Sequence, residues 1–182
     1  MFAIAATVML TGCSRPVSSQ ERALFVTGRD LQRVNCDIGR GNAGRFSKEH
    51  VPFMYDSIDF NLNATDETAS CKVLISATVT AARDADTAAG LYNGGAGGAK
   101  IGLKVSDIEF AEAKSPFRYG DQSQYFDLTK NGHVVGYYFQ ARMGRVVYQY
   151  LVFGLRFGKA ETFAGLFEPK LKQARRFYRK RS

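Results

Sequence analysis

QYFDLTKNGHVVGYYFQARMGRVVYQYLVFGLRF, residues 124–157, is the stretch on which the fold turns. Asn131-Gly132 stands between two runs rich in Val, Tyr and Phe. A two-residue type I′ turn needs positive φ at both central positions, which these two residues supply. Met143-Gly144 punctuates the next pair of runs in the same way, so three antiparallel strands in a meander are expected. Beyond the meander, Phe163, Leu166, Phe167, Leu171, Ala174 and Tyr178 recur at helical spacing. They predict a C-terminal helix laying one apolar stripe on the sheet, and the aromatic stripe reads as core, not as a cofactor box. Pro169 must kink that helix or divide it.

On the N-terminal side, Met54–Asn63 and Cys71–Ala81 read as two further strands, with Val73, Ile75, Ala77 and Val79 alternating with polar residues. Residues 64–70 read as a turn, and DIEFAEA at 107–113 alternates again. Asp84–Tyr92 reads as a helix that stops at the glycine cluster NGGAGG, expected to be a mobile loop. That cluster is no phosphate loop, because Ala99 precedes Lys100 and Ile101 replaces the hydroxyl; the glycines also follow a helix, the wrong pole for an anion. CDIGRGNAGRFSKE, residues 36–49, reads as loop. Strands, one or two short helices and a closing helix predict an α+β domain: an antiparallel sheet, including the meander, packed against the C-terminal helix. A chain of 182 residues that is 45% hydrophobic can bury one such core, assigned to residues 23–169.

GDQSQYFDLTKNGHVVGYYFQARMGRVVYQYLVFGLRF followed by FAGLFEPKL resembles the C-terminal part of the PsbP-like family of small secreted or lumenal domains. There an aromatic, glycine, basic, valine and tyrosine meander leads to a closing helix. The resemblance covers about the last third of the chain and rests on strand texture. It implies a non-enzymatic binding or assembly role.

The opening MFAIAATVMLTGC has no charge and breaks at small residues before a cysteine, the texture of a secretory apolar segment. Leu10-Thr11-Gly12-Cys13 resembles the lipobox of bacterial lipoproteins, in which the Cys thiol takes diacylglycerol and the chain is cut before it. Residues 1–12 would then be a signal peptide. No Lys or Arg precedes Arg15, so the translation start lies upstream or the sequence is a fragment. SRPVSSQER continues as a polar tether, 13–22 with its lipidated Cys. Lipidation implies a cell-envelope protein facing the periplasm, and Ser14 after the Cys favours the outer membrane. With Cys13 lipidated, Cys36 and Cys71 remain; in an oxidising compartment they read as one disulfide, the alternative being two buried free thiols.

The net charge of +8 is local. Lys170, Lys172, Arg175, Arg176, Arg179, Lys180 and Arg181 place seven positive charges and no negative one in the tail 170–182, leaving +1 for the rest. Either the tail meets a polyanion, or its cations complement the C-terminal pole of a helix. In the envelope the polyanions are anionic lipid, lipopolysaccharide and cell-wall polymer, not nucleic acid; an unidentified envelope protein is a further expected partner. No Cys/His spacing suits a metal, and no motif calls for a cofactor. The alternative is a small envelope hydrolase using His50 or His133, in a set such as Ser47–His50–Asp56 or Asp121–Ser123–His133. Neither is accompanied by a Gly-x-Ser-x-Gly elbow.

Overall fold

The computed structural model describes residues 16–34, 36–39, 44–64, 69, 71–104, 107–113, 118–155, 157 and 160–179. In chain order these form α1 (Ser19–Arg22), α2 (Gly28–Gln32), β1 (Arg45–Val51), β2 (Tyr55–Ala64), β3 (Val73–Ala82), α3 (Ala85–Lys104), β4 (Glu109–Glu112), β5 (Gln122–Lys130), β6 (His133–Met143), β7 (Val146–Phe153) and α4 (Ala160–Arg179). The strands make one antiparallel sheet of seven in the order β1-β2-β3-β7-β6-β5-β4. The chain is therefore α+β with an antiparallel sheet and a C-terminal helix, and the meander stands as β5-β6-β7. Asn131 and Gly132 have φ of 52° and 75°, as the type I′ turn between Lys130 and His133 requires.

Alternation along the strands gives the sheet two unlike faces. On one, Phe60, Ile75, Ala77, Val79, Phe139, Tyr148, Tyr150 and Val152 are buried beneath α4 and the segment 24–38. Phe163 and Phe167 stack at 4.4 Å on α4, and Phe167 meets Tyr150 edge-on at 4.8 Å. Two buried hydroxyls fasten the N-terminal segment to this face. Tyr148 donates to the Leu24 carbonyl at 2.8 Å, and the Val26 N–H donates to the Tyr150 oxygen at 2.6 Å. The helix α4 runs undivided through Pro169, which withholds the bond an N–H there would give the Gly165 carbonyl. Cys36 and Cys71 are joined, with Cα atoms 5.4 Å apart, so the free-thiol alternative falls.

Asp30 ties α2 to α4. Its Oδ2 accepts from the Thr27 N–H at 2.9 Å and from the Lys170 ammonium at 2.9 Å. Burial pushes this carboxyl up, but the Thr27 and Lys170 bonds outweigh it and hold it below the ordinary Asp range. Glu21 is likewise lowered: burial raises it, and Lys48, the Ser18 N–H and the Ser18 hydroxyl overcome that. A lowered folded-state value contributes stability that is present above the unfolded value, near pH 4, and is lost as pH falls through the folded one. Urea unfolding followed downward from neutral pH should therefore show stability dropping below about pH 4, with a shallower fall for Asp30→Asn. An identical acid slope for the variant would mean that Asp30 carries none of the effect.

The opposite face carries α3, and here the sequence reading needs correction. The helix does not stop at NGGAGG: Asn93–Gly98 lie inside it, and it ends at Lys104. Ala88, Tyr92 and Ala96, one turn apart, are the residues it buries. Beneath them Gln140 is 0% exposed. Its amide donates to the Tyr92 carbonyl at 3.0 Å and to Gln124 at 2.9 Å, and its oxygen accepts from Tyr138 at 2.9 Å. A Cβ on Gly95 would run into Gln149 and come within 3.0 Å of the Gln140 oxygen, so the helix sits this close only because position 95 is bare. Tertiary contact has overridden a poor helix propensity.

Two smaller differences concern the first half. The strand β1 starts at Arg45, inside the expected loop 36–49, and the polar stretch read as tether is helical over Ser19–Arg22. The Ser18 hydroxyl and the Glu21 carboxylate cap that turn reciprocally, and Arg22 lies 4.9 Å over the Phe46 ring.

Candidate functional site

One end of the sheet gathers segments far apart in sequence. An open cleft of about 1010 Å³ is lined by Glu21, by the β1–β2 hairpin, by Arg83 at the end of β3, by Arg145 in the β6–β7 turn and by Tyr178 near the end of α4. Backbone bonds stitch this end together. Arg83 N–H donates to the Met54 carbonyl at 2.7 Å, and Ala82 N–H donates to the Arg145 carbonyl at 2.8 Å. The first described turn, the hairpin and the basic helix end thus share one surface.

The hairpin tip is the unusual part. Pro52, Phe53 and Met54 join the strands, Phe53 having a left-handed φ of 62°. That conformation costs a bulky residue about 1–2 kcal/mol and is ordinarily given to Gly or Asn. Yet Phe53 is 86% exposed and Met54 49%. Phe53 thus combines a left-handed backbone with an almost fully exposed ring.

Around the tip the charges partly cancel. Lys48 and Glu21 form an ion pair at 2.7 Å, and His50 Nδ1 meets Asp56 Oδ1 at 2.6 Å on the exposed rim. Glu49 lies 3.5 Å from the Tyr55 hydroxyl. Further cations of this end are Arg83 and Arg145, with Arg176 and Arg179 in the last turn of α4.

The basic tail is not one set. Lys170 is committed to Asp30 at 2.9 Å and Lys172 to Glu168 at 2.6 Å. Arg175, Arg176 and Arg179 are exposed, with no acidic partner among the described residues. Cys13, Lys180 and Arg181 lie outside the described residues. The disulfide is at the other end, since Cys71 precedes β3 while the cleft lies at its close.

Neither hydrolase set is assembled. Ser47 and His50 are three apart on β1 and so point to opposite faces, leaving His50 with Asp56 alone. Ser123 pairs with Ala141 and His133 with Lys130, eight residues apart along β6, or about 27 Å. Asp121 is engaged elsewhere, accepting from the Gly144 N–H at 2.6 Å. Among the described residues there is no group of three or more His, Cys, Asp or Glu that could hold a metal ion, and no helix is long and apolar enough to cross a membrane.

Sequence reasoning overlooked the hairpin tip, Arg83 and Arg145. The signal for the tip was available: VPFMY puts two large apolar residues where a turn between strands favours Gly, Asn or Asp. Arg83 and Arg145 had none, because only the fold brings them to one end. No family model, no curated protein and no solved structure matches the chain.

Proposed function

We propose that this chain is a lipid-anchored, non-enzymatic binding or scaffold protein of the bacterial cell envelope. Diacylglycerol on Cys13 would hold it facing the periplasm, on the outer membrane if Ser14 acts as in the lipoproteins it resembles. The observation that carries the reading is the shared cleft. Ser18, five residues after Cys13, bonds Glu21 in the wall of the cleft, and the basic helix has Tyr178, near its end, lining the same cleft. An anchor and a cationic surface at one end suit a domain held against an anionic envelope layer. The PsbP-like texture of the meander agrees with a binding or assembly role.

The competing hydrolase reading has one favourable feature, the His50–Asp56 pair on the cleft rim. A chain carrying His50→Ala and His133→Ala separates the two. Full complementation of a deletion strain is expected if the role is binding. Lost complementation at a normal protein level would overturn that and favour catalysis by one of the histidines.

A further inference from the structure

We propose that the β1–β2 hairpin tip is a second, non-covalent membrane contact, with Phe53 and Met54 entering the interface of an anionic bilayer. The inference deepens the envelope reading and rests on it. Reach supplies the first argument. Cys13 and Pro16 are three residues apart, a span of at most about 11 Å, so an anchor on Cys13 holds the start of the domain close to the lipid surface. Ser18 hydrogen-bonds Glu21 at 2.8 Å, and Glu21 lines the same cleft as Phe53 and Met54. The end of the sheet carried toward the bilayer is therefore the end that bears the tip.

Chemistry supplies the second. Phe53 stands 86% exposed and Met54 is half exposed beside it, whereas the boundary between headgroups and acyl chains accepts such side chains readily. Arg83 and Arg145 line the cleft beside the tip, and Arg176 and Arg179 close α4 next to Tyr178. With His50 neutral the lining of the cleft balances, Lys48, Arg83 and Arg145 against Glu21, Glu49 and Asp56, so the positive surplus of this end comes from Arg176 and Arg179. Cations at the end of the domain that bears the apolar tip match anionic headgroups around an apolar interior. The lipid on Cys13 supplies attachment, and the tip sets which end of the domain faces the membrane.

The chain contains no Trp, so a single introduced indole reports on its own position alone. The full chain with Cys13→Ser, which cannot be lipidated, would carry either Phe53→Trp or, at the hairpin on the far end of the sheet, His133→Trp. Each would be mixed with phosphatidylethanolamine–phosphatidylglycerol vesicles bearing brominated acyl chains, and with phosphatidylcholine vesicles as the neutral comparison. Circular dichroism would establish that both reporters keep the wild-type fold. Emission from the Phe53→Trp chain should shift to the blue and be quenched several-fold more than emission from the His133→Trp chain, on anionic vesicles only, and high salt should weaken the effect. Unchanged emission from the tip reporter, or equal quenching of the two reporters, would overturn the proposal. Quenching at the tip when the wild-type chain carries no lipid on Cys13 would sink the anchor and leave the contact standing. Lipid on Cys13 with the tip reporter unquenched would do the reverse.

Discussion

Replacing Gly90, Gly94, Gly98 and Gly102 together with alanine should stabilise the protein by about 2–4 kcal/mol, roughly 0.5–1 kcal/mol for each substitution. The four lie one turn apart on α3, and a Cβ built on any of them meets nothing within 4 Å. Alanine therefore introduces no clash, while it reduces the freedom of the unfolded chain and improves helix propensity. Gly95 is left out of the set because its Cβ would run into the Gln149 and Gln140 amides. Denaturant unfolding measures the gain directly. An unchanged midpoint would mean that Asn93–Gly98 behaves as the loop the sequence suggested and that the helix does not persist in solution.

Breaking the disulfide is the largest expected loss. Cys36 and Cys71 close a loop with a sequence separation of 35, for which the chain-entropy account gives about 4 kcal/mol. In a domain of this size that lowers the melting temperature by about 8–16 °C. The bond also fastens the end of the segment 24–38 to the start of β3, so the cover over the Tyr148–Tyr150 face loses one of its ties. The Cys36→Ser, Cys71→Ser chain is expected to melt lower by that amount, and the wild-type chain to match it after full reduction. Equal melting temperatures in all three states would mean that the bond does not constrain the chain.

What could be read from the sequence, and what could not, divides along a physical line. The meander was legible because Asn131-Gly132 and dense Val, Tyr and Phe state strand and turn locally, with no help from distant residues. The closing helix was legible from its apolar period. The strand β1 was not, because an edge strand with an exposed, charged pattern has little apolar alternation to detect, and its start lies in a glycine-rich run. The helix α3 was half legible: the Ala88, Tyr92, Ala96 spacing is helical, but the glycines between argued against it, and only packing on the sheet decides. The tail was legible as charge and not as pairing, since Asp30, 140 residues before Lys170, takes one of its cations. The cleft is a property of the topology. Glu21, Phe53, Arg83, Arg145 and Tyr178 meet because the N-terminal turn, the last helix, one hairpin and one turn come to the same end of the sheet.

That convergence supports the lipid-anchored reading only if the chain is attached where Cys13 stands. Metabolic labelling with palmitate, followed by separation of membrane and soluble fractions, tests this for the wild-type chain and for Cys13→Ala. Label on the wild-type chain in the membrane fraction, with none on the variant, is the predicted result. A Cys13→Ala chain that still carries label and remains in the membrane fraction would show that the anchor lies elsewhere and would take the envelope reading's main support away.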